Sequence, residues 1–196
     1  MHGRPDDDRE RTALLVVDMI KTYDHDDGDA LRHAVRRALP AIGELLDLVW
    51  AARSTVIYVN DAAGDPAADR HALLARALAG RDAALVEPIR PPDAVPFVFK
   101  TRHSAFFHTT LEPLLAERGI GRLIVCGQVT EQCILYSAID AYERGYSLSV
   151  PEDAVAGIDD GLAAAALRMM AENLGAEVAP AAALRVATES PGAARR

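Results

Sequence analysis

Apolar residues fall into two rhythms that alternate from one end of the chain to the other. Largely apolar runs of strand length occur at residues 12–17 (TALLVV), 55–59 (TVIYV), 97–99 (FVF) and 122–126 (RLIVC), and 147–150 (SLSV) reads as a fifth strand. Runs without polar alternation fit strands covered on both faces, as in a parallel sheet. Between them the apolar positions recur every three or four residues, which predicts helices. Over 31–53 the apolar face is Ile42, Leu45, Leu46, Val49 and Trp50, with Trp50 in the core and Pro40 opening a second segment. A helix over 67–79 closes at Gly80, and one capped by Thr110 turns Leu111, Leu114 and Leu115 inward before Gly119. Asp159 or Asp160 starts a helix over 161–174 with Leu162, Ala166, Met169 and Met170 as its stripe, and 176–178 is a short edge strand. Residues 19–30 and 151–157 are expected as loops, and 86–96, with its four prolines, as an irregular excursion. Strands alternating with helices at this frequency predict an α/β fold, three layers with a doubly wound, mainly parallel sheet flanked by helices in a single domain. Its expected extent is 12–184, between a polar arm at 1–11 and a tail at 185–196.

Length and charge narrow the task of such a domain. At 196 residues, half of them apolar, the chain has material for one well-buried core. The net charge is -8, and the 21 basic residues are scattered, which argues against nucleic acid or an anionic membrane as partner and favours a small molecule. No apolar stretch approaches the ~20 residues of a membrane span, and the opening MHGRPDDDRER lacks the apolar core of a signal peptide. The expected location is the cytoplasm, with Cys126 and Cys133 as free thiols.

Chemistry concentrates in the stretch 120–146, IGRLIVCGQVTEQCILYSAIDAYERGY, which reads as strand, tight turn and helix. Thr130 suits the N-cap, which places Cys133 in the first turn, where unpaired amides and the helix dipole favour a thiolate. Cys133 is thus a candidate nucleophile. Asp18 ends the first apolar run and Lys100 ends the third, so all three fall on the carboxyl edge of the expected sheet, where ligands bind in open α/β folds. Each also has a plain alternative role: packing for Cys133, capping a turn for Asp18, a solvated surface for Lys100.

The aspartate in ALLVVDM, the lysine in FKTRHSAF and the stretch VCGQVTEQCILYSAIDAYERGY together resemble the isochorismatase-like cysteine hydrolase superfamily, which includes nicotinamidases and N-carbamoylsarcosine amidohydrolases. The resemblance implies an Asp18-Lys100-Cys133 triad and a cis peptide between Gln128 and Val129. It also implies an oxyanion hole formed by the backbone N–H groups of Val129 and Cys133. Asp18 would take the thiol proton while Lys100 lowers the thiol pKa, and a thioester would then be hydrolysed by water; none of the six histidines is needed. Tyr23, Asn60, Phe106 and Tyr136 are candidate pocket residues by their strand-end, loop or helix placement, each equally suited to packing. Metal-dependent nicotinamidases have a histidine two residues after an aspartate following the second strand. Here Asp61 precedes Ala62 and Ala63, and His71 reads as helix surface, so no metal and no cofactor are expected. The implied substrate is a small amide, ureido, carbamoyl or cyclic amide. The alternatives are a vinyl-ether hydrolase of isochorismatase type with Asp18 as acid, and a non-catalytic scaffold of the same fold. Relatives commonly form dimers or tetramers, which implies a homo-oligomer.

Overall fold

Each uninterrupted apolar run forms a parallel strand, and the alternation of its side chains between two faces builds two cores. The computed structural model describes residues 11–62 and 69–186. The expected arm and tail therefore lie outside the described residues, except Arg11, which opens the first strand, and Arg185 and Val186; residues 63–68, with the first residues of the helix expected from 67, also lie outside. Strand β1 (Arg11–Val17) runs between β2 (Thr55–Asp61) and β4 (Ile120–Gln128), with Leu15 opposite Ile57 on one side and Val125 on the other. Outside β2 lies β3 (Phe97–Lys100), and beyond β4 come β5 (Ser147–Pro151) and β7 (Glu177–Ala179). The order is β3-β2-β1-β4-β5-β7, every pair parallel. A two-residue strand, β6 (Val155–Ala156), pairs with the end of β4 inside what the sequence presents as a loop. Two residues are too few to register as an apolar run.

Leu14, Val16, Val56, Tyr58, Ile124 and Cys126 pack toward α1 (Gly28–Ala51), while Ala13, Leu15, Val17, Ile57, Val59, Leu123 and Val125 pack on the other face. That second face is covered by α3 (Leu111–Glu117), α4 (Leu135–Glu143) and α5 (Asp160–Leu174), and α2 (Arg70–Ala79) joins the first. The break expected at Pro40 does not occur, and α1 is one helix. Pro40 is exposed, so the Arg36 carbonyl that loses its partner faces the solvent side, while Leu31, Val35, Ala38, Ile42, Leu46 and Val49 keep a continuous buried stripe. Trp50, expected inside, is 41% exposed. Val49 takes the inward position, and the next residue is turned about 100° away. On α5 the stripe reduces to Ala166 and Met170, with Leu162 and Met169 exposed. Asp159 caps α5 by accepting from the Leu162 amide (2.8 Å). Thr110 does not cap α3; the Leu111 amide donates instead to Thr109 Oγ1 (3.2 Å). The proline-rich excursion contains a short 3-10 turn, Glu87–Ile89, that buries Ile89, and a second, Ala83–Leu85, lies just before it and buries Leu85.

From β1 the chain winds outward through β2 and β3, then returns to lay β4 against the other side of β1. The winding reverses between β1 and β4, so their carboxyl ends open a crevice suited to a ligand. Gly127 sits at this rim with φ 112°, and a Cβ there would stand 2.2 Å from the Val17 carbonyl oxygen. Only glycine lets β4 pass β1 so closely.

Burial holds the Cys126 thiol and the Tyr58 phenol above their ordinary values of 9.0 and 10.0. Unfolded chains ionise these groups first, so the stability they contribute is complete below about pH 9 and is lost as pH rises. The urea midpoint is expected to be flat from pH 7 to 8.5 and to fall by pH 10.5, with a smaller fall in Cys126→Ala; an unchanged midpoint at pH 10.5 would contradict this.

Candidate active site

Three strand ends bring Asp18, Lys100 and Cys133 together below the molecular surface, at 2%, 1% and 7% exposure. Asp18 leaves β1 with a left-handed backbone, φ 54°, a conformation aspartate tolerates better than most residues. Its amide donates to the Val59 carbonyl (2.8 Å), which ties the turn to β2. Lys100 ends β3, two strands away, where its backbone lies opposite Asp61. Its long side chain reaches back to the centre of the sheet, and Nζ makes three contacts: Asp18 Oδ2 (2.8 Å), Cys133 Sγ (3.4 Å) and the Arg102 carbonyl (3.1 Å). These match the three donors of an ammonium. The second Asp18 oxygen, Oδ1, accepts from the Asp61 amide (2.7 Å).

The segment carrying Cys133 differs from the capped α-helix expected. The Gln128–Val129 peptide is cis. A wide π-helical turn, Thr130–Ile134, precedes α4, and the Val129 carbonyl accepts from the amides of Gln132 (3.0 Å) and Ile134 (3.1 Å), those on either side of Cys133. Thr130 is buried and makes no side-chain cap bond. Glu131 anchors the turn from outside, its Oε1 accepting from the amides of Ile158 (2.9 Å) and Asp159 (3.0 Å) at the start of α5. Gln128 anchors it from inside: buried Nε2 donates to the Asp18 carbonyl and to the Tyr23 hydroxyl (3.3 Å).

The electrostatics correct the expected thiolate. Burial pushes the Cys133 thiol up to about 12, the Asp18 carboxylate adds to the rise, and Lys100 opposes both without overcoming them. For Lys100, burial favours the neutral amine, but the charges of Asp18 and Cys133 and its hydrogen bonds to both carry its pKa above the ordinary value. The resting cluster is therefore a neutral thiol beside a carboxylate–ammonium pair.

The four candidate pocket residues take different places. Asn60 spends both ends of its amide on the Ile20 backbone, accepting from its N–H (3.0 Å) and donating to its carbonyl (3.2 Å), so it secures the loop after β1. Tyr23, Asn60, Ile20 and Asp61 line one side of a cavity of about 270 Å³ closed by Leu73 and Arg76 of α2. Phe106 is packed within the core, 4.9 Å from the Arg144 guanidinium and 5.9 Å from the Tyr146 ring. Tyr136 is 51% exposed and lies beside His103, ring centroids 5.3 Å apart. His103 is a residue that sequence reasoning set aside: its Nδ1 stands 3.7 Å from Cys133 Sγ. Its position three residues beyond Lys100 was the available signal. The loop that presents it is fixed to α4, because Ser104 Oγ donates to Asp140 Oδ2 and the Ala105 amide donates to Ser137 Oγ (2.9 Å).

His71 is exposed on α2, its Nδ1 4.0 Å from Asp93, and among the described residues no three His, Cys, Asp or Glu side chains are placed to hold an ion. Among the described residues no helix is long and apolar enough to cross a membrane.

Comparison with known proteins gives concordant relatives. The isochorismatase domain family model matches residues 12–183. The uncharacterized isochorismatase family protein YaaI of Bacillus subtilis is 35% identical over 166 residues, 85% of this chain and 92% of its own. Ureidoacrylate amidohydrolase RutB of Azorhizobium caulinodans is 31% identical over 174 residues, 74% of this chain and 76% of its own. Among solved structures, the nicotinamidase SaPncA from Staphylococcus aureus is similar with a TM-score of 0.68 and 31% identity, covering 87% of this chain and 98% of that one.

Two outcomes follow from the site's burial and charge. Iodoacetamide is expected to modify Cys133 in the native protein and Cys126 only after unfolding, because Cys126 has no exposed surface. With the thiol raised to about 12, the Cys133 rate should climb about tenfold per unit from pH 6 to 9; a plateau below pH 9 would show a thiolate already formed. Lys100→Met leaves the Asp18 carboxylate buried without its counter-charge and is expected to cost about 3–5 kcal/mol in a denaturant melt. Adding Asp18→Asn should recover most of that loss, and a single variant as stable as the parent would refute the coupling.

Proposed function

The chain belongs to the isochorismatase family, and from that premise we propose that it hydrolyses a C–N bond of a small amide, ureido, carbamoyl or cyclic-amide substrate through a thioester on Cys133. The observation that carries this is the Lys100 ammonium bridging Asp18 Oδ2 (2.8 Å) and Cys133 Sγ (3.4 Å) in a buried crevice. Relatives named ureidoacrylate amidohydrolase and nicotinamidase support the amide class of substrate.

Because the thiol rests neutral, attack requires its proton to leave as the S–C bond forms. Asp18, charged and adjacent, takes that proton, and Lys100 stays cationic to stabilise the sulfur as it becomes anionic. The backbone amides of Val129 and Cys133 hold the tetrahedral oxyanion. Support for this role comes from the π-helical turn, where the Val129 carbonyl binds the amides on either side of Cys133. Asp18 then hands its proton to the departing amine, leaving an acyl thioester for water to cleave. No step passes through a metal or organic cofactor.

A scaffold that has lost catalysis would not need Lys100 within 3.4 Å of the sulfur. The protein is proposed to act in the cytoplasm on a small molecule, without nucleic acid or membrane, as a homodimer or homotetramer; the exposed Ile139 and Tyr142 on α4 support association.

Incubation with a panel of ureido, carbamoyl, lactam and primary amide compounds is expected to yield an acyl adduct on Cys133 by mass spectrometry. Cys133→Ala should lower turnover of the responsive compound by about 10⁴-fold or more while keeping the fold. Full activity in that variant would reject the thioester and favour acid catalysis by Asp18.

A further inference from the structure

Cys133 Sγ has polar neighbours on two sides, and the mechanism above uses only one of them. Inward lie Asp18 and Lys100, both almost without exposed surface. Outward lies His103, which is exposed and whose Nδ1 is 3.7 Å from the sulfur. Its ring rests against Tyr136, on the first turn of α4, and its loop is pinned to the same helix through Ser104–Asp140 and Ala105–Ser137. An exposed side chain held this way keeps its nitrogen at the sulfur.

Thioester hydrolysis needs a base for the attacking water, in addition to the proton transfers that Asp18 makes during acylation. One Asp18 oxygen accepts from the Asp61 amide and the other from Lys100, and the residue is 2% exposed. His103 is an exposed polar group within 3.7 Å of the sulfur. Imidazole is also the side chain most often used as a general base.

We propose that His103 is a second catalytic residue, the base that activates the deacylating water. The proposal rests on the thioester described above. The Nδ1 atom takes one proton from water as the water oxygen bonds to the acyl carbon, and the carbon–sulfur bond then breaks. The departing thiolate recovers that proton from the imidazolium across the 3.7 Å contact. The products are a carboxylic acid and the free thiol, with no oxidant, reductant or further reactant required.

The probe is p-nitrophenyl acetate with the full chain, since an activated ester separates acylation, seen as a burst of nitrophenolate, from deacylation, seen as the steady state. His103→Asn and His103→Ala are expected to keep a burst of about one equivalent per chain, the stoichiometry of a single nucleophile. Their steady rate should fall by about 10²-fold or more, the range of a lost general base, with the acetyl group accumulating on Cys133. Imidazole added to His103→Ala should restore part of the steady rate. A steady rate within about twofold of the parent, or a burst and steady state that decline together, overturns the role of His103. A parent protein whose burst is absent, or persists in Cys133→Ala, overturns the thioester itself and His103 with it; a Cys133-dependent burst with no effect of His103 leaves the thioester standing.

Discussion

A carboxylate and an ammonium buried side by side are tolerable only if they are paired and hydrogen-bonded, and much of the crevice can be understood from that constraint. Asp18 and Lys100 neutralise each other at 2.8 Å, and the remaining capacity is taken by the Asp61 amide, the Arg102 carbonyl and the Cys133 sulfur. Each partner comes from a different segment: the end of β2, the loop after β3 and the turn after β4. The pair therefore joins the carboxyl ends of strands that are distant in sequence. The nucleophile turn is joined to this arrangement by Gln128, which donates to the Asp18 carbonyl, and to α5 by Glu131.

The same burial decides the ionisation of the sulfur. A helix N-terminus and a nearby lysine both favour a thiolate, yet desolvation and the Asp18 charge outweigh them and keep the thiol protonated. In the proposed reaction, chemistry then begins from a neutral nucleophile with its base already ionised beside it. In that proposal charge moves from oxygen to sulfur during attack while the net charge of the cluster is unchanged, which suits a largely buried site. His103 lies outside this buried pair, exposed and 3.7 Å from the sulfur, where the proposed deacylation would use a base.

Much of the architecture was legible in the chain. The five expected strands formed in the parallel sheet, the helices between them formed, and strand-end position alone singled out Asp18 and Lys100. Departures arose where periodicity is a weak guide to orientation. Trp50 and Met169 satisfy an apolar pattern but sit one residue round from the inward position, and Pro40 interrupts a hydrogen bond only on the exposed side of α1. β6 was too short to carry a pattern, and the π-helical turn differs from an α-helix in which amides pair, which side-chain sequence does not encode directly.

By itself, then, the sequence determined the strand and helix order, the carboxyl-edge placement of the three reactive side chains and the family of the chain, because these depend on local pattern and on motifs contiguous in sequence. Tertiary structure alone decided the distances: Lys100 reaching across two strands, Asn60 occupied by the Ile20 backbone and His103 arriving at the sulfur from a separate loop. It also decided that the thiol is neutral. Burial and the summed field of neighbours set a pKa, and neither exists until the segments that supply them are packed together.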